Sequence, residues 1–370
     1  MQLGLGFDAE QEELRRGLRS FFGKRSDEDR VREVMVGESG CDVEVWQGLA
    51  TELGCQGLTV REQWGGAGAT LVEQGVVLEE LGRSLACVPY FATVGLALDL
   101  LQSFDHPSVA DAATRIAAGD LVATVALPEP GTGWDPANVA LAATPDGDGW
   151  MLTGTKTFVP DGHLAGLLLV IARVEGELAV LAVESDAPGL TITQLPTMDQ
   201  TRRQARVDLD HTPATLLGSD AGETVVRSLA RASALLSVEQ VGAARRILEG
   251  TTEYAGIRTQ FGAPIGSFQV VKHRLADMLL DVEAARSAAY YAVFAAAEDD
   301  DELIEATSLA KAFCSDMLVR TAEAAVQLHG GIGLTWEHWA HLYFKRARSS
   351  AVLLGNAQEH RERLARAIGI

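Results

Sequence analysis

From about Asp8 to Ala118 the apolar positions recur every three and four residues, as in the series Leu14, Leu18, Phe21, Phe22 and the series Val76, Val77, Leu81, Leu85. Such spacing keeps apolar side chains on one face of a 3.6-residue turn, so it predicts helices. Gly65, Gly66 and Gly68 interrupt the run with a loop. Near Leu121 the pattern shortens. Val122 to Leu127, Val139 to Ala143, Trp150 to Thr153, Leu167 to Val174, Leu178 to Val183 and Val207 to Leu209 alternate with turn signals and predict strands. Asp146-Gly147-Asp148-Gly149 predicts a hairpin turn, and Ala187-Pro188-Gly189 the close of another strand. Beyond Gly218 the helical spacing returns, over about Glu223 to Tyr254, Ser267 to Ala297, Asp301 to Leu328 and Trp339 to Leu353. Segments of that length suit a bundle of antiparallel helices. The expected architecture is mainly α with a central antiparallel β domain: a helical region over 1–120, a middle β domain over 121–218 and a C-terminal helical bundle over 219–370. No Pro/Ser-rich linker separates these stretches, so one packed subunit is expected.

Composition sharpens the picture by exclusion. With 370 residues, 47% hydrophobic and 22% charged, the chain is long and apolar enough to bury a large core. Its 51 acidic and 31 basic residues give a formal charge of -20, which repels a polyanionic duplex and argues against nucleic-acid binding. Met1 to Asp8 lacks the basic, apolar, small-residue order of a secretory leader. No apolar run approaches the roughly 18 residues of a membrane helix; Leu164 to Ala172 is closed by Arg173. Cys41, Cys55, Cys87 and Cys314 have no paired spacing, so neither a zinc site nor a thiol-disulfide motif is expected. Cytoplasmic residence follows as the default expectation.

Two motifs carry the chemistry. Arg258-Thr259-Gln260-Phe261-Gly262-Ala263-Pro264-Ile265-Gly266-Ser267-Phe268-Gln269 resembles the flavin-binding signature of the acyl-CoA dehydrogenase family, and Gln327-Leu328-His329-Gly330-Gly331-Ile332-Gly333-Leu334-Thr335 resembles that family's second signature at the family's spacing. Leu127-Pro128-Glu129-Pro130-Gly131-Thr132-Gly133 adds a match where the β region begins, so the resemblance spans essentially the whole chain. It implies an α-helical N-terminal domain, a β-barrel-like middle domain, a C-terminal four-helix bundle and FAD as cofactor. Arg258 brings a permanent cation with a planar fork of donors, suited to a pyrophosphate, and Gly330 and Gly331 let backbone approach an anion closely. Gln327 adds hydrogen-bonding capacity, and Phe261 and Gln269 belong to the same implied cofactor set. In the family these groups reach the dinucleotide half of a flavin held mainly by a neighbouring subunit, which implies an oligomer. Taken singly, the arginine is equally a surface ion-pair partner and the glycines a helix-helix turn.

The family reaction removes a proton from the α carbon of a CoA thioester while hydride leaves the β carbon for the flavin. It needs a carboxylate in a largely apolar pocket. Matching Leu353-Leu354-Gly355-Asn356 to one customary position places Leu354 where the base belongs; counting back from Arg258 places Ala232 at the other. Neither side chain accepts a proton. Glu239, seven residues from Ala232, shares its helix face but lies about 10 Å along the axis, so a structural role is favoured for it. In Gly154-Thr155-Lys156-Thr157-Phe158-Val159-Pro160-Asp161-Gly162, Phe158 and Val159 suit a flavin ring or a plain strand core. Pro160 replaces a threonine that donates to the flavin, and it has no N–H or hydroxyl.

These absences resemble the base-lacking subunit of actinobacterial heteromeric enzymes that shorten steroid side chains. The implied partners are an acyl-CoA substrate, a homologous second subunit in an α2β2 assembly or a homo-oligomer, and an electron-transfer flavoprotein. Arg202, with Arg203 and Arg206, is a candidate for a coenzyme A phosphate or for plain solvated charge. His338 and His341 lie three apart, too few ligands for zinc, and helix packing is the favoured reading. Two other functions stay open: a self-sufficient homo-oligomeric dehydrogenase or oxidase using Glu239 or another base, and a non-enzymatic scaffold.

Overall fold

The structure, a computed structural model, describes residues 7–147, 149–299 and 301–370. Helices α1 (Ala9–Arg25), α2 (Glu28–Val36), α3 (Val43–Thr51) and α4 (Leu71–Ser84) come first, then a π-helical Phe91–Leu98 that runs into α5 (Asp99–Gln102), and α6 (Pro107–Ala117). Strands β1 (Ala123–Ala126), β2 (Ala143–Asp146), β3 (Gly149–Pro160), β4 (Leu167–Val174), β5 (Glu177–Glu184), β6 (Leu190–Gln194) and β7 (Gln204–Gly218) follow. Helix α7 (Gly222–Ile257), the short hairpin of β8 (Thr259–Gln260) and β9 (Ala263–Pro264), and helices α8 (Gln269–Ala297), α9 (Leu303–His329), α10 (Ala340–Val352) and α11 (Ala357–Ala367) complete the chain. The chain divides into two compact units, neither continuous in sequence. One joins the stretch up to Val31 to Leu71–Ala86 and Ser233–Ile370; the other joins Arg32–Thr70 to Cys87–Ala232.

In the first unit α9 packs against α8, α10 and α11. Its buried face is largely small, with Ala306, Ala310, Ala322 and Ala325 beside Cys314 and Met317, which lets neighbouring helices come close. The closest approach joins α4 to α7. A Cβ on Gly82 would meet the Glu239 carbonyl oxygen at 2.0 Å, and one on Gly242 would meet that of Glu79 at 1.9 Å. Only two glycines facing each other's backbone permit this crossing. Glu79 then accepts from the Tyr290 hydroxyl of α8 and, at 3.1 Å, from Arg15 Nη2 of α1.

The second unit is built on a sheet of order β1-β4-β5-β7-β3-β2, with β6 paired to β7. Strand β4 is buried almost throughout, as its unbroken apolar run requires, whereas β7 alternates between buried and exposed positions. The sheet is mixed: β1 pairs parallel to β4, and the other strand pairs are antiparallel. The expectation of a wholly antiparallel domain is corrected here. The chain leaves β1, makes the β2–β3 hairpin and returns as β4, an excursion long enough for a parallel pairing. The hairpin forms with Asp146 opposite Gly149; Asp148, part of its expected turn, lies outside the described residues.

Val139 to Ala143, expected as a strand, enters the sheet only at its end. The Ala140 and Leu141 N–H groups donate to the Glu129 carboxylate instead, at 3.1 and 2.9 Å, and Lys156 Nζ donates to the same carboxylate at 2.7 Å and to the Leu127 carbonyl at 3.1 Å. Burial pushes the Lys156 ammonium down to about 8, while the bonds to Glu129 oppose that shift. Desolvation raises the Glu129 carboxyl's pKa, but its bonds to Lys156 and to the two backbone N–H groups leave it below its ordinary value.

Candidate functional site

The segments that carry the two sequence motifs converge at one end of the first unit. Tyr254, near the end of α7, stacks on His329 at the end of α9 with ring centroids 4.3 Å apart, and its hydroxyl donates to the His329 carbonyl at 3.4 Å. Arg258 lies one turn beyond Tyr254. Its carbonyl accepts from Ile265 N at 2.7 Å, which folds the β8–β9 hairpin back so that α8 starts alongside. Gly330 follows His329 with φ +67°, in the left-handed region, and a Cβ at Gly330 or Gly331 would meet open space. The structure therefore gathers Arg258, Phe261 and Gln269 with Gln327, Gly330 and Gly331 at one end of the bundle.

All six of these residues are exposed in the chain. The side chains of Arg258, Gln269 and Gln327 have no hydrogen-bond or ion-pair partner among the described residues. Phe261 sits at the hairpin tip with φ +51°, 94% exposed, its one ring contact being an edge-to-face meeting with Phe268 at 6.1 Å. A forked cation, two amides, an aromatic ring and open glycine backbone form a surface with donors and no internal acceptor. That is suited to a phosphate-bearing ligand brought from outside the chain.

The turn after α10 has the opposite character. Leu354 is 2% exposed with φ +60°, and Gly355 follows at +103°. A leucine in the left-handed region costs about 1 kcal/mol or more, so the surroundings must hold it there. They do so through carbonyls. His360 Nε2 meets the Leu354 carbonyl at 3.0 Å, and Lys311 Nζ donates to the Gly355 and Ser350 carbonyls, both at 3.1 Å, and to Ser315 Oγ at 2.9 Å. Gln240 Nε2 adds a bond to Ser315 Oγ at 3.1 Å. Burial pushes Lys311 down to about 7 and His360 down to about 3. The turn is built and braced, and it carries no proton acceptor at Leu354.

Ala232, the other position considered for a base, is wholly buried. Glu239 is 2% exposed and accepts from Arg346 Nη1 at 2.6 Å, a pair buried on both sides. A carboxylate held by a buried guanidinium is stabilised in its charged form, which is the reverse of the poised base that proton abstraction needs.

In the second unit, bulges in β3 fall between Leu152 and Gly154 and between Lys156 and Val159. The latter turns Phe158 outward, half exposed at φ +52°, and leaves Val159 wholly buried. The Pro160 carbonyl accepts from Thr124 Oγ1 at 2.6 Å, and the Pro128 carbonyl accepts from Thr157 N at 2.8 Å. This strand end thus offers two prolines side by side, neither with an N–H to give a ligand. Arg202 is 6% exposed and lies over the Phe91 ring at 5.0 Å. Arg203 is spent on the end of α2, donating to the Met35, Gly37 and Glu38 carbonyls. Arg206 is exposed but forked onto Asp208 at 2.8–2.9 Å. His338 Nδ1 accepts from Ala340 N at 3.1 Å and His341 Nε2 meets the Trp336 carbonyl at 3.0 Å. Among the described residues no group of three or more metal-binding side chains occurs, and no helix is long and apolar enough to cross a membrane.

The models of the acyl-CoA dehydrogenase N-terminal, middle and C-terminal domains match residues 8–104, 124–210 and 222–369. The chain belongs to the acyl-CoA dehydrogenase family. It is therefore one of a family of FAD-dependent oxidoreductases. It is 36% identical to "Acyl-CoA dehydrogenase IpdE2" of Mycolicibacterium smegmatis over 356 residues, covering 96% of this chain and 97% of that one. The solved structure "Tcur3481-Tcur3483 steroid ACAD" matches with 34% identity and TM-score 0.90, covering 97% of this chain and 98% of that chain. The ChsE4-ChsE5 complex from Mycobacterium tuberculosis matches with 30% identity and TM-score 0.92, covering 99% of each chain.

For an acyl-CoA dehydrogenase the question is which parts of FAD these residues fit. Arg258, Gln327 and the open backbone at Gly330 and Gly331 have the charge and donors that a pyrophosphate takes up. The bound flavin would supply the hydride acceptor. The strand end at Pro128 and Pro160 does not fit a ring that takes N–H donors from it. The motifs led directly to Arg258 and Gln327. Pro128, Lys311 and Arg346 were passed over, because a proline inside a matching motif and charged residues inside long helices give no local signal.

Proposed function

We propose that this chain is the base-lacking subunit of a heteromeric FAD-dependent acyl-CoA dehydrogenase, and that Arg258, Phe261, Gln269, Gln327, Gly330 and Gly331 complete the flavin site of a homologous catalytic partner. The substrate is a CoA thioester with a bulky, steroid-derived acyl group, desaturated between its α and β carbons, and an electron-transfer flavoprotein takes the electrons. One observation carries the reading: the grip for a dinucleotide tail is present and unpartnered within the chain, while both customary base positions hold Leu354 and Ala232. The two-protein names of the similar solved structures support a heteromer, and "steroid" in one of them supports the acyl class.

On this reading the chain's own groups bind and orient. Arg258 holds negative charge on the dinucleotide tail, Gln327 fixes its register, and the glycines admit it to backbone contact. Proton removal falls to the partner's carboxylate. The test is to purify the chain alone and together with a homologous second chain, then record flavin absorbance and dye reduction driven by steroid-derived and straight-chain acyl-CoA. Flavin and activity are expected only in the pair, with preference for the steroid-derived thioester. Activity of the chain alone, abolished by Glu239→Gln, overturns the proposal; absence of flavin in every pairing favours a scaffold.

A further inference from the structure

A cleft of about 380 Å³ opens in the first unit between α1, α4, α7 and α10. Small-ligand pockets occupy roughly 300–1,000 Å³, so a compact organic molecule fits. It shares no residue with the flavin-facing end of the bundle or with the turn at Leu354. Its apolar wall includes Phe22, Leu85, Trp339 and Leu342. Its charged wall includes Arg19, Arg83 and Arg246 against Asp27, Glu28 and Glu80.

The partners of these charges decide what the cleft attracts. Glu80 is held at both oxygens by Arg19, at 2.5 and 3.1 Å, and Asp27 Oδ1 accepts from Arg30 N at 2.9 Å. Arg83 is paired through Nη2 with Glu249, but its buried Nη1 has no acceptor. Arg246 has neither a hydrogen bond nor an ion pair among the described residues, and its one printed contact is with the Trp339 ring, 5.5 Å from the centroid. In a chain with 51 acidic and 31 basic residues, a half-buried guanidinium without a carboxylate stands out. Gly250 makes room for it: a Cβ there would meet both Arg246 Nη1 and Trp339 Cζ2 at 2.7 Å. A free forked cation beside an indole face, in a cleft with an apolar wall, has the chemistry to hold a carboxylate attached to a flat apolar body.

We propose that this cleft binds a small organic anion of that class, its carboxylate on Arg246 and its ring system against Trp339 and Phe22. The proposal is independent of the flavin site and of any partner chain. The full-length chain is titrated with 2-naphthoate while tryptophan fluorescence is followed, and in parallel with the neutral 2-naphthalenemethanol by calorimetry. Saturable binding of the carboxylate is expected, at least about tenfold tighter than the alcohol. Arg246→Gln should weaken 2-naphthoate about tenfold or more and leave the alcohol unchanged, while Arg246→Lys, which keeps the charge without the fork, should lose less. No saturable binding to the wild-type chain, equal affinity across the three proteins, or parallel weakening of both compounds by Arg246→Gln overturns it.

Discussion

Along α9, Lys311 and Gln327 meet opposite circumstances. The Lys311 ammonium is wholly buried and donates to Ser315 Oγ and to the Ser350 and Gly355 carbonyls. Gln327 is exposed at the same helix's far end, and its amide has no partner in the chain. One region spends its polar groups on holding a turn in place; the other leaves them free beside open glycine backbone. Their difference teaches where the chemistry of this chain points. The braced turn keeps its shape without a proton acceptor, and the open end has binding groups without a ligand of its own.

If that contrast is right, substitutions in the braced region cost stability and those at the open end cost flavin. The largest effect is expected at the buried pair: Glu239→Ala should destabilise by about 3–5 kcal/mol in urea unfolding, because Arg346 loses a buried counter-charge. A Glu239→Gln protein of unchanged stability but lost activity in the pair would instead make Glu239 the base. Lys311→Met removes the donor from two buried carbonyls and should cost about 3 kcal/mol by the same measurement, with flavin content of the folded pair unchanged.

His360 supplies a pH-dependent version of the same test. Its folded-state value, about 3, lies below the ordinary 6.5, because burial disfavours the cation and Lys311 and Arg363 repel it. A base whose pKa is depressed on folding binds more protons when unfolded, so stability falls as pH drops from about 6.5 toward 3. By pH 4 the loss should be on the order of 2 kcal/mol, and His360→Asn should flatten the slope in that window. Lys311 acts in the same sense higher up, between about 7 and its ordinary 10.5. At the open end Gln327→Ala should leave unfolding untouched and weaken flavin retention in the pair only about three- to tenfold, the worth of one or two hydrogen bonds.

The helices and most strands were legible because their periodicity is local. β4 follows the expected Leu167 to Val174, and α8 and α9 begin and end within two residues of expectation. The parallel β1–β4 pairing was not legible, since four consecutive buried residues carry no direction. β6 escaped notice because Thr191, Ile192 and Thr193 form a short, mostly exposed strand. At the candidate site, Arg258 and Gln327 were readable from motif spacing. The Glu239–Arg346 pair and the Lys311 bonds join residues far apart in sequence, and only the folded packing brings them together.

The most direct test of the central claim is a titration with FAD of the paired complex carrying Arg258→Ala, beside the wild-type pair. The account predicts FAD affinity lower by at least about tenfold, the worth of a charge-assisted contact to phosphate, with the unfolding midpoint unchanged. Equal FAD affinity in the two complexes would contradict it.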